Sequence, residues 1–194
     1  MHRTFDVPRF LFLDRDGVIN VRPINNYVKA IGEFVFENKA LEAIGILSKQ
    51  FEKIFVITNQ QGVGKGMMTE QKLDEVHAFM KQKVAEFGGK LEDVFFCPHL
   101  HTKHCLCRKP NIGLALKARK QYPELQFSKT IMVGDTLNDM LFGKKLKMKT
   151  VLINTDLTLA RKHSDVVDNM FDSLYDFALF IQNNNIISSK ALFK

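Results

Sequence analysis

At 194 residues, with 45% hydrophobic residues, the chain has the composition of a globular protein and is long enough to bury one substantial core. No run approaches the length of a membrane span and Met1 to Pro8 lacks a signal-peptide layout, so a cytoplasmic protein without a membrane partner is expected. The formal charge of +7 implies attraction for anions, but the cations are scattered and no basic stretch carries interleaved aromatics, so no nucleic-acid partner is expected.

The first apolar run, Phe10 to Leu13, ends abruptly in Asp14-Arg15-Asp16-Gly17. A buried strand that delivers two carboxylates to its C-terminal edge, followed by a turn at glycine, suits a hard cation such as Mg²⁺. It also suits a nucleophile with an acid/base partner beside it. Val21 to Asn26 reads as a loop, because Pro23, Asn25 and Asn26 favour turns. Asn38 is placed to cap a helix from Lys39 to about Gln50, with Leu41, Ile44 and Leu47 on one face.

Lys53 to Ile57 reads as a second buried strand, opening through Thr58-Asn59-Gln60-Gln61 into the glycine-rich Gly62 to Gly66. Such a loop offers a hydroxyl, amides and backbone N–H groups to an anion. Thr69 starts a long amphipathic helix with Leu73, Val76, Met80, Val84 and Phe87 at core spacing, stopped by Gly88-Gly89. Further strands are expected at Val94–Phe96, Thr130–Val133 and Thr150–Ile153, with a short edge strand at Val166-Val167. Helices are expected at Gly113–Gln121, Leu137–Leu146 and Leu174–Ile181, before a polar tail from about Asn183. Alternating strands and helices predict an α/β fold with a parallel sheet in a single domain, and put Asp14, Thr58 and Asp135 on one rim.

All three cysteines lie between Cys97 and Cys107, which argues against a disulfide framework and for a metal site in a reducing compartment. Cys97, His99, Cys105 and Cys107 match a closed tetrahedral Zn²⁺ site of structural type. His99 is the expected fourth ligand because its spacing from Cys97 mirrors that of Cys105 from Cys107, with His101 and His104 as alternatives. The loop would fix Arg108 and Lys109, a guanidinium fork and a point charge suited to phosphate.

Together these motifs resemble the haloacid dehalogenase (HAD) superfamily of phosphatases across nearly the whole chain. Asp14-Arg15-Asp16-Gly17 looks like its first motif, Thr58 its second, Lys109 its third, and Gly134-Asp135 through Asp139 its fourth. The Cys-Pro-His…Cys-x-Cys-Arg-Lys-Pro insertion is similar to that of the zinc-bearing, capless branch that acts on heptose 1,7-bisphosphate or histidinol phosphate. The resemblance implies a three-layer, Rossmann-like HAD fold without a large cap domain. It implies that Asp14 is the nucleophile, Asp16 the acid/base, and Thr58 and Lys109 the phosphoryl-binding groups. Mg²⁺ would be held by Asp14, Asp135 and the main-chain carbonyl of Asp16.

Substrate contacts are expected from Asn25, Asn26, Tyr27, Asn59, Gln60, Gln61 and Arg108. Asp139 is either a partner to the metal site or a helix-start residue. Asn26-Tyr27-Val28 and Gly62 to Gly66 followed by Thr69-Glu70 resemble the heptose-bisphosphate enzymes, whereas the short zinc loop resembles the histidinol-phosphate enzymes. The heptose bisphosphate is the expected substrate, histidinol phosphate the alternative, and the chain is expected to act as a monomer.

Overall fold

The computed structural model describes residues 8–24 and 26–184. Six strands, β1 (Phe10–Leu13), β2 (Lys53–Asn59), β3 (Asp93–Cys97), β4 (Thr130–Gly134), β5 (Lys149–Ile153) and β6 (Asn169–Phe171), form one parallel sheet. Their order is β3-β2-β1-β4-β5-β6. Among the described residues six α-helices accompany them: α1 (Ala40–Leu47), α2 (Glu70–Glu86), α3 (Gly113–Gln121), α4 (Leu137–Lys145), α5 (Leu157–Lys162) and α6 (Leu174–Asn184).

The apolar runs are continuous because both sheet faces are covered, and period-2 alternation sorts each strand between two cores. Phe10 and Phe12 pack with Phe55, Ile57 and Met132 against Leu114 of α3 and Phe142 of α4. Leu11 and Leu13 pack with Val56, Val133 and Val151 on the other face, against Ile44 of α1, Val76 of α2 and Phe177 of α6. Each such side chain, once fully buried, contributes roughly 1.5–3 kcal/mol. This is the three-layer α/β architecture that the sequence implies. Among the described residues, the interval from β1 to β2 holds a 3₁₀ turn at Ile31–Glu33 and α1, and that from β2 to β3 holds α2, which leaves no room for a large cap.

From β1 the chain works outward to β2 and β3, then crosses to β4 on the other side of β1. The carboxyl ends of β1 and β4 therefore flank a topological switch point, where open α/β sheets bind ligands. Leu13 pairs with Val133, so the residues just beyond both strands emerge side by side.

Three local expectations differ from the structure, and one helix was not expected. The position before α1 is taken by Lys39 in the left-handed region (φ 56°), not by Asn38, and no side chain caps that helix. Its first turn is instead closed by the Ala40 N–H donating to the Glu37 carbonyl at 3.0 Å. Phe87 is 51% exposed because α2 ends before it, although Leu73, Val76, Met80 and Val84 are all buried as expected. The edge strand is Asn169–Phe171 rather than Val166-Val167. The N–H groups of those valines turn back to the His163 carbonyl, and Val167 fills a small core with Met140 and Leu152. Helix α5 follows no apolar period; Asp156 caps it by accepting from the Thr158 and Leu159 N–H groups. No described helix is long and apolar enough to cross a membrane.

Candidate active site

Asp14 leaves β1 with its N–H donating to the Val133 carbonyl of β4 at 2.9 Å, which ties it to the switch point. Gly17 then turns at φ +87°, and a Cβ there would lie 2.2 Å from Asp135 Oδ2. Only glycine allows both the turn and the approach of Asp135. Carboxylate oxygens of Asp14, Asp135 and Asp139 lie within 4.8 Å of one another. Three acids this close need cations, and hard oxygen donors of this kind fit Mg²⁺.

Lys109 is the first of those cations. Its buried Nζ donates to the Ile57 carbonyl at 2.6 Å and pairs with Asp14 Oδ1 at 2.9 Å and Asp139 Oδ1 at 2.5 Å. Burial works against its charge, but the two carboxylates outweigh burial and hold its pKa above the ordinary lysine value. Asn59 pins the Lys109 main chain, accepting from its N–H at 3.0 Å and donating to its carbonyl at 3.2 Å. Burial pushes the Asp14 carboxyl up to about 7, with Lys109 opposing and Asp139, Asp135 and Asp16 reinforcing.

Asp139 is a helix-start residue, and its Oδ1 faces Lys109 beside the carboxylates of Asp14 and Asp135. It pairs with Lys109 through one oxygen, while Oδ2 accepts from the Thr136 N–H at 3.1 Å and Oγ1 at 2.6 Å, closing a capping box on α4. Asp139→Ala is expected to cost roughly 3 kcal/mol or more in denaturant unfolding, because it opens a buried ion pair and a helix cap together. Asp139→Asn keeps the cap and should cost clearly less; equal losses would show that the cap contributes nothing beyond the ion pair.

Asp16 is held by a separate network. Fully buried Arg15 donates from Nη2 to both of its oxygens at 2.8 and 3.1 Å, Asn20 Nδ2 adds a bond at 2.9 Å and Gln60 Nε2 another at 2.8 Å. Burial opposes the charge on Asp16, but Arg15, and after it Asn20 and Gln60, hold its pKa below the usual carboxylate range. Behind Arg15 stands His77, pushed down to about 3 by burial and by the Arg15 charge. Its neutral ring accepts from Arg15 Nη1 at 3.2 Å.

A cavity of about 430 Å³ opens over these groups, lined by Asp14, Asp16, Thr58, Lys109, Asp139 and Arg22. Asn26, Tyr27, Asn59, Gln61, Lys65, Arg108, Thr136 and Asn138 line it as well. Tyr27 accepts from Gln61 Nε2 at 2.8 Å, and Lys65 Nζ lies 5.1 Å from the Tyr27 ring centroid. Arg108 Nη1 is buried with no partner among the described residues, a donor available to a ligand.

Gln60 departs from the expected substrate contacts. It is buried, does not line the cavity, and spends its amide N–H groups on Asp16 and on Thr58 Oγ1 at 2.9 Å. Its N–H bond to the Cys97 carbonyl at 2.8 Å keeps it beside β3, which turns the side chain inward. Asn25 lies outside the described residues. The residues that motif spacing left unmarked are Arg15, Asn20, His77 and Arg22. Arg22 forks onto Asp135, Nε to Oδ2 at 2.9 Å and Nη2 to Oδ1 at 2.7 Å. The available signal for it was a cation in the loop that follows an acidic strand end.

Cys97 Sγ, His99 Nδ1, Cys105 Sγ and Cys107 Sγ form a second cluster within 4.8 Å. The sulfur separations are 2.8 to 3.5 Å, and His99 Nδ1 lies 3.1 and 3.7 Å from Cys107 and Cys97. A tetrahedron with Zn–S near 2.3 Å has edges of about 3.7 Å, so these four donors fit Zn²⁺. His99 is the imidazole in the cluster; His101 and His104 remain outside it, both exposed.

Comparison with known proteins agrees with this geometry. Residues 106–177 match the HAD-hydrolase-like family model. The chain is 32% identical over 182 residues to the D-glycero-β-D-manno-heptose-1,7-bisphosphate 7-phosphatase of Neisseria meningitidis serogroup A, covering 91% of this chain and 96% of that protein. It is 33% identical over 171 residues to the α-anomer counterpart of Mycobacterium bovis, covering 88% and 90%. The crystal structure of D,D-heptose 1,7-bisphosphate phosphatase from B. bronchiseptica, complexed with magnesium and phosphate, superposes with a TM-score of 0.80 at 25% identity, covering 90% and 98%. The chain belongs to the HAD-like phosphatases, in the family of the heptose-1,7-bisphosphate 7-phosphatases.

Proposed function

We propose that the whole chain is one phosphatase domain that removes the 7-phosphate of D-glycero-D-manno-heptose 1,7-bisphosphate. The observation that carries this reading is the convergence of Asp14, Asp16, Thr58 and Lys109 on one cavity that Arg108 and Lys65 also line, with Asp135 within 4.8 Å of Asp14. A doubly phosphorylated sugar needs cations for both of its phosphates. The names of the relatives favour the heptose bisphosphate over histidinol phosphate. We further propose that the chain acts as a monomer, and the thiol cluster suits the reducing cytoplasm.

Asp14, Asp135 and the Asp16 carbonyl would hold Mg²⁺, which when bound neutralises charge where an anionic carboxylate meets an anionic phosphate. Asp14 attacks phosphorus, forming the bond to one carboxylate oxygen as the sugar oxygen leaves with the electron pair of the broken P–O bond. Lys109 and the Thr58 hydroxyl bind the phosphoryl oxygens as their charge redistributes. The incoming phosphate dianion raises the proton affinity of Asp16 above its resting value, so that Asp16 can supply the proton the leaving oxygen needs. As a carboxylate it then takes a proton from the water that releases phosphate. The Cys97, His99, Cys105 and Cys107 set would hold a structural Zn²⁺, with no open position for water.

The test is phosphate release in Mg²⁺ from heptose 1,7-bisphosphate and from histidinol phosphate, with the sugar product identified. A preference of at least about 10²-fold in kcat/KM for the bisphosphate, giving the 1-phosphate, is expected. Equal or faster turnover of histidinol phosphate would overturn the substrate assignment.

A further inference from the structure

Arg22 occupies an unusual place among the cations of the site. Besides its fork on Asp135, its Nη2 donates to the Asp16 main-chain carbonyl at 2.8 Å and lies 3.7 Å from Asp14 Oδ2. Those are the donors assigned above to Mg²⁺: two carboxylates and one carbonyl. A guanidinium and a divalent ion compete for the same lone pairs and repel each other, so the two cannot share them.

The two cations of this cradle differ in their freedom to leave. The Lys109 side chain is 2% exposed and anchored on the Ile57 carbonyl. The Arg22 side chain is 48% exposed and reaches in from a loop, so it can withdraw without disturbing either core. Asp135 packs directly against Gly17, where a Cβ would already collide with it, so the exchange takes place at Arg22 rather than at the carboxylate.

We infer that Arg22 is a tethered competitor for the divalent ion. It neutralises Asp14 and Asp135 until the metal displaces it, and so sets the metal affinity of the site. This inference rests on the reading that these oxygens hold Mg²⁺. Its consequence is that removing the guanidinium tightens metal binding, the opposite of what loss of a ligand or of a structural contact does.

The measurement is calorimetric titration of the full chain with Mg²⁺ alone, for wild type, Arg22→Met and Arg22→Gln. Both variants are expected to bind Mg²⁺ roughly 5- to 10-fold more tightly, the equivalent of one or two partly exposed ion pairs. In chelator both should melt below wild type, and saturating Mg²⁺ should close the gap. Equal or weaker affinity in both variants overturns the inference while leaving the Mg²⁺ reading intact. Absence of Mg²⁺ binding heat and of any Mg²⁺-induced rise in melting temperature, in all three proteins, overturns the Mg²⁺ reading and this inference with it.

Discussion

Asp14→Asn is expected to abolish phosphate release, by at least about 10⁴-fold, and at the same time to stabilise the metal-free protein at pH 8. The first effect follows from losing a carboxylate nucleophile. The second follows from its surroundings. Asp14 is buried, and Asp139, Asp135 and Asp16 all disfavour its charge, with only Lys109 opposing strongly. Its carboxyl is therefore pushed up to about 7 from an ordinary 3.8.

A carboxyl with a raised folded-state pKa binds its proton more tightly in the native state than in the unfolded chain. Its favourable contribution is complete below about pH 4 and is lost as pH rises through 7. At pH 8 the wild type carries the full penalty, an upper bound of about 4 kcal/mol in chelator. Asparagine removes that penalty. Its carbonyl can still accept from the Arg15 N–H and from Lys109 Nζ, which lie 2.7 and 2.9 Å from Oδ1 in the wild type. Thermal melts in chelator should show the variant several degrees above wild type at pH 8 and no higher near pH 4. A variant that melts lower at pH 8 would mean that the Lys109 attraction outweighs burial.

Cys107→Ser is expected to lower kcat/KM by roughly 10²- to 10³-fold although Cys107 lies outside the cavity. The loop from Cys97 to Cys107 has little apolar packing of its own: Leu106 is 82% exposed, and residues 101–104 are all exposed. What holds it together is the cluster itself, with Cys107 Sγ 2.8 Å from Cys97 and 3.4 Å from Cys105. The next two residues are Arg108 and Lys109. Freeing the loop moves Arg108 and pulls the Lys109 main chain against its Asn59 bonds, and a displacement near 1 Å is enough for losses of about 10².

Zinc measured by atomic emission should fall from one per chain to a small fraction. Far-UV circular dichroism should change little, since β3 and the cores on both sheet faces remain. Phosphate release at wild-type rates from a zinc-free preparation would remove the structural role of the metal.

How far each element could be read in advance depends on how local its cause is. The strands at Phe10, Lys53, Thr130 and Thr150 were legible because an unbroken apolar run between turn residues has few other uses in a chain of this length. The same holds for Asp14, Asp16, Thr58 and Asp135, since a strand end fixes where the next residue emerges, whereas Lys109 lies beyond the cysteine loop after β3 and was legible from the family motif. β6 was not legible, because Val166-Val167 is the better strand by propensity. Those valines are drawn into a turn by the bonds to His163 and by the small core with Met140 and Leu152.

Side-chain direction was the harder part. Gln60 and Gln61 are neighbours in one polar loop, yet one faces Asp16 and the other the cavity, a division made by the main-chain bond from Gln60 to Cys97. Spacing left three histidines as candidates beside Cys97, and the turn at residues 101–103 leaves only His99 among the thiols. Sequence by itself determined the order of the strands' chemistry: which carboxylates and hydroxyl end on one rim, and which thiols share a loop. Only the tertiary structure decided the electrostatics of that rim. Arg15, His77 and Arg22 act through contacts across loops and layers, and no periodicity along the chain records which cation will face which acid.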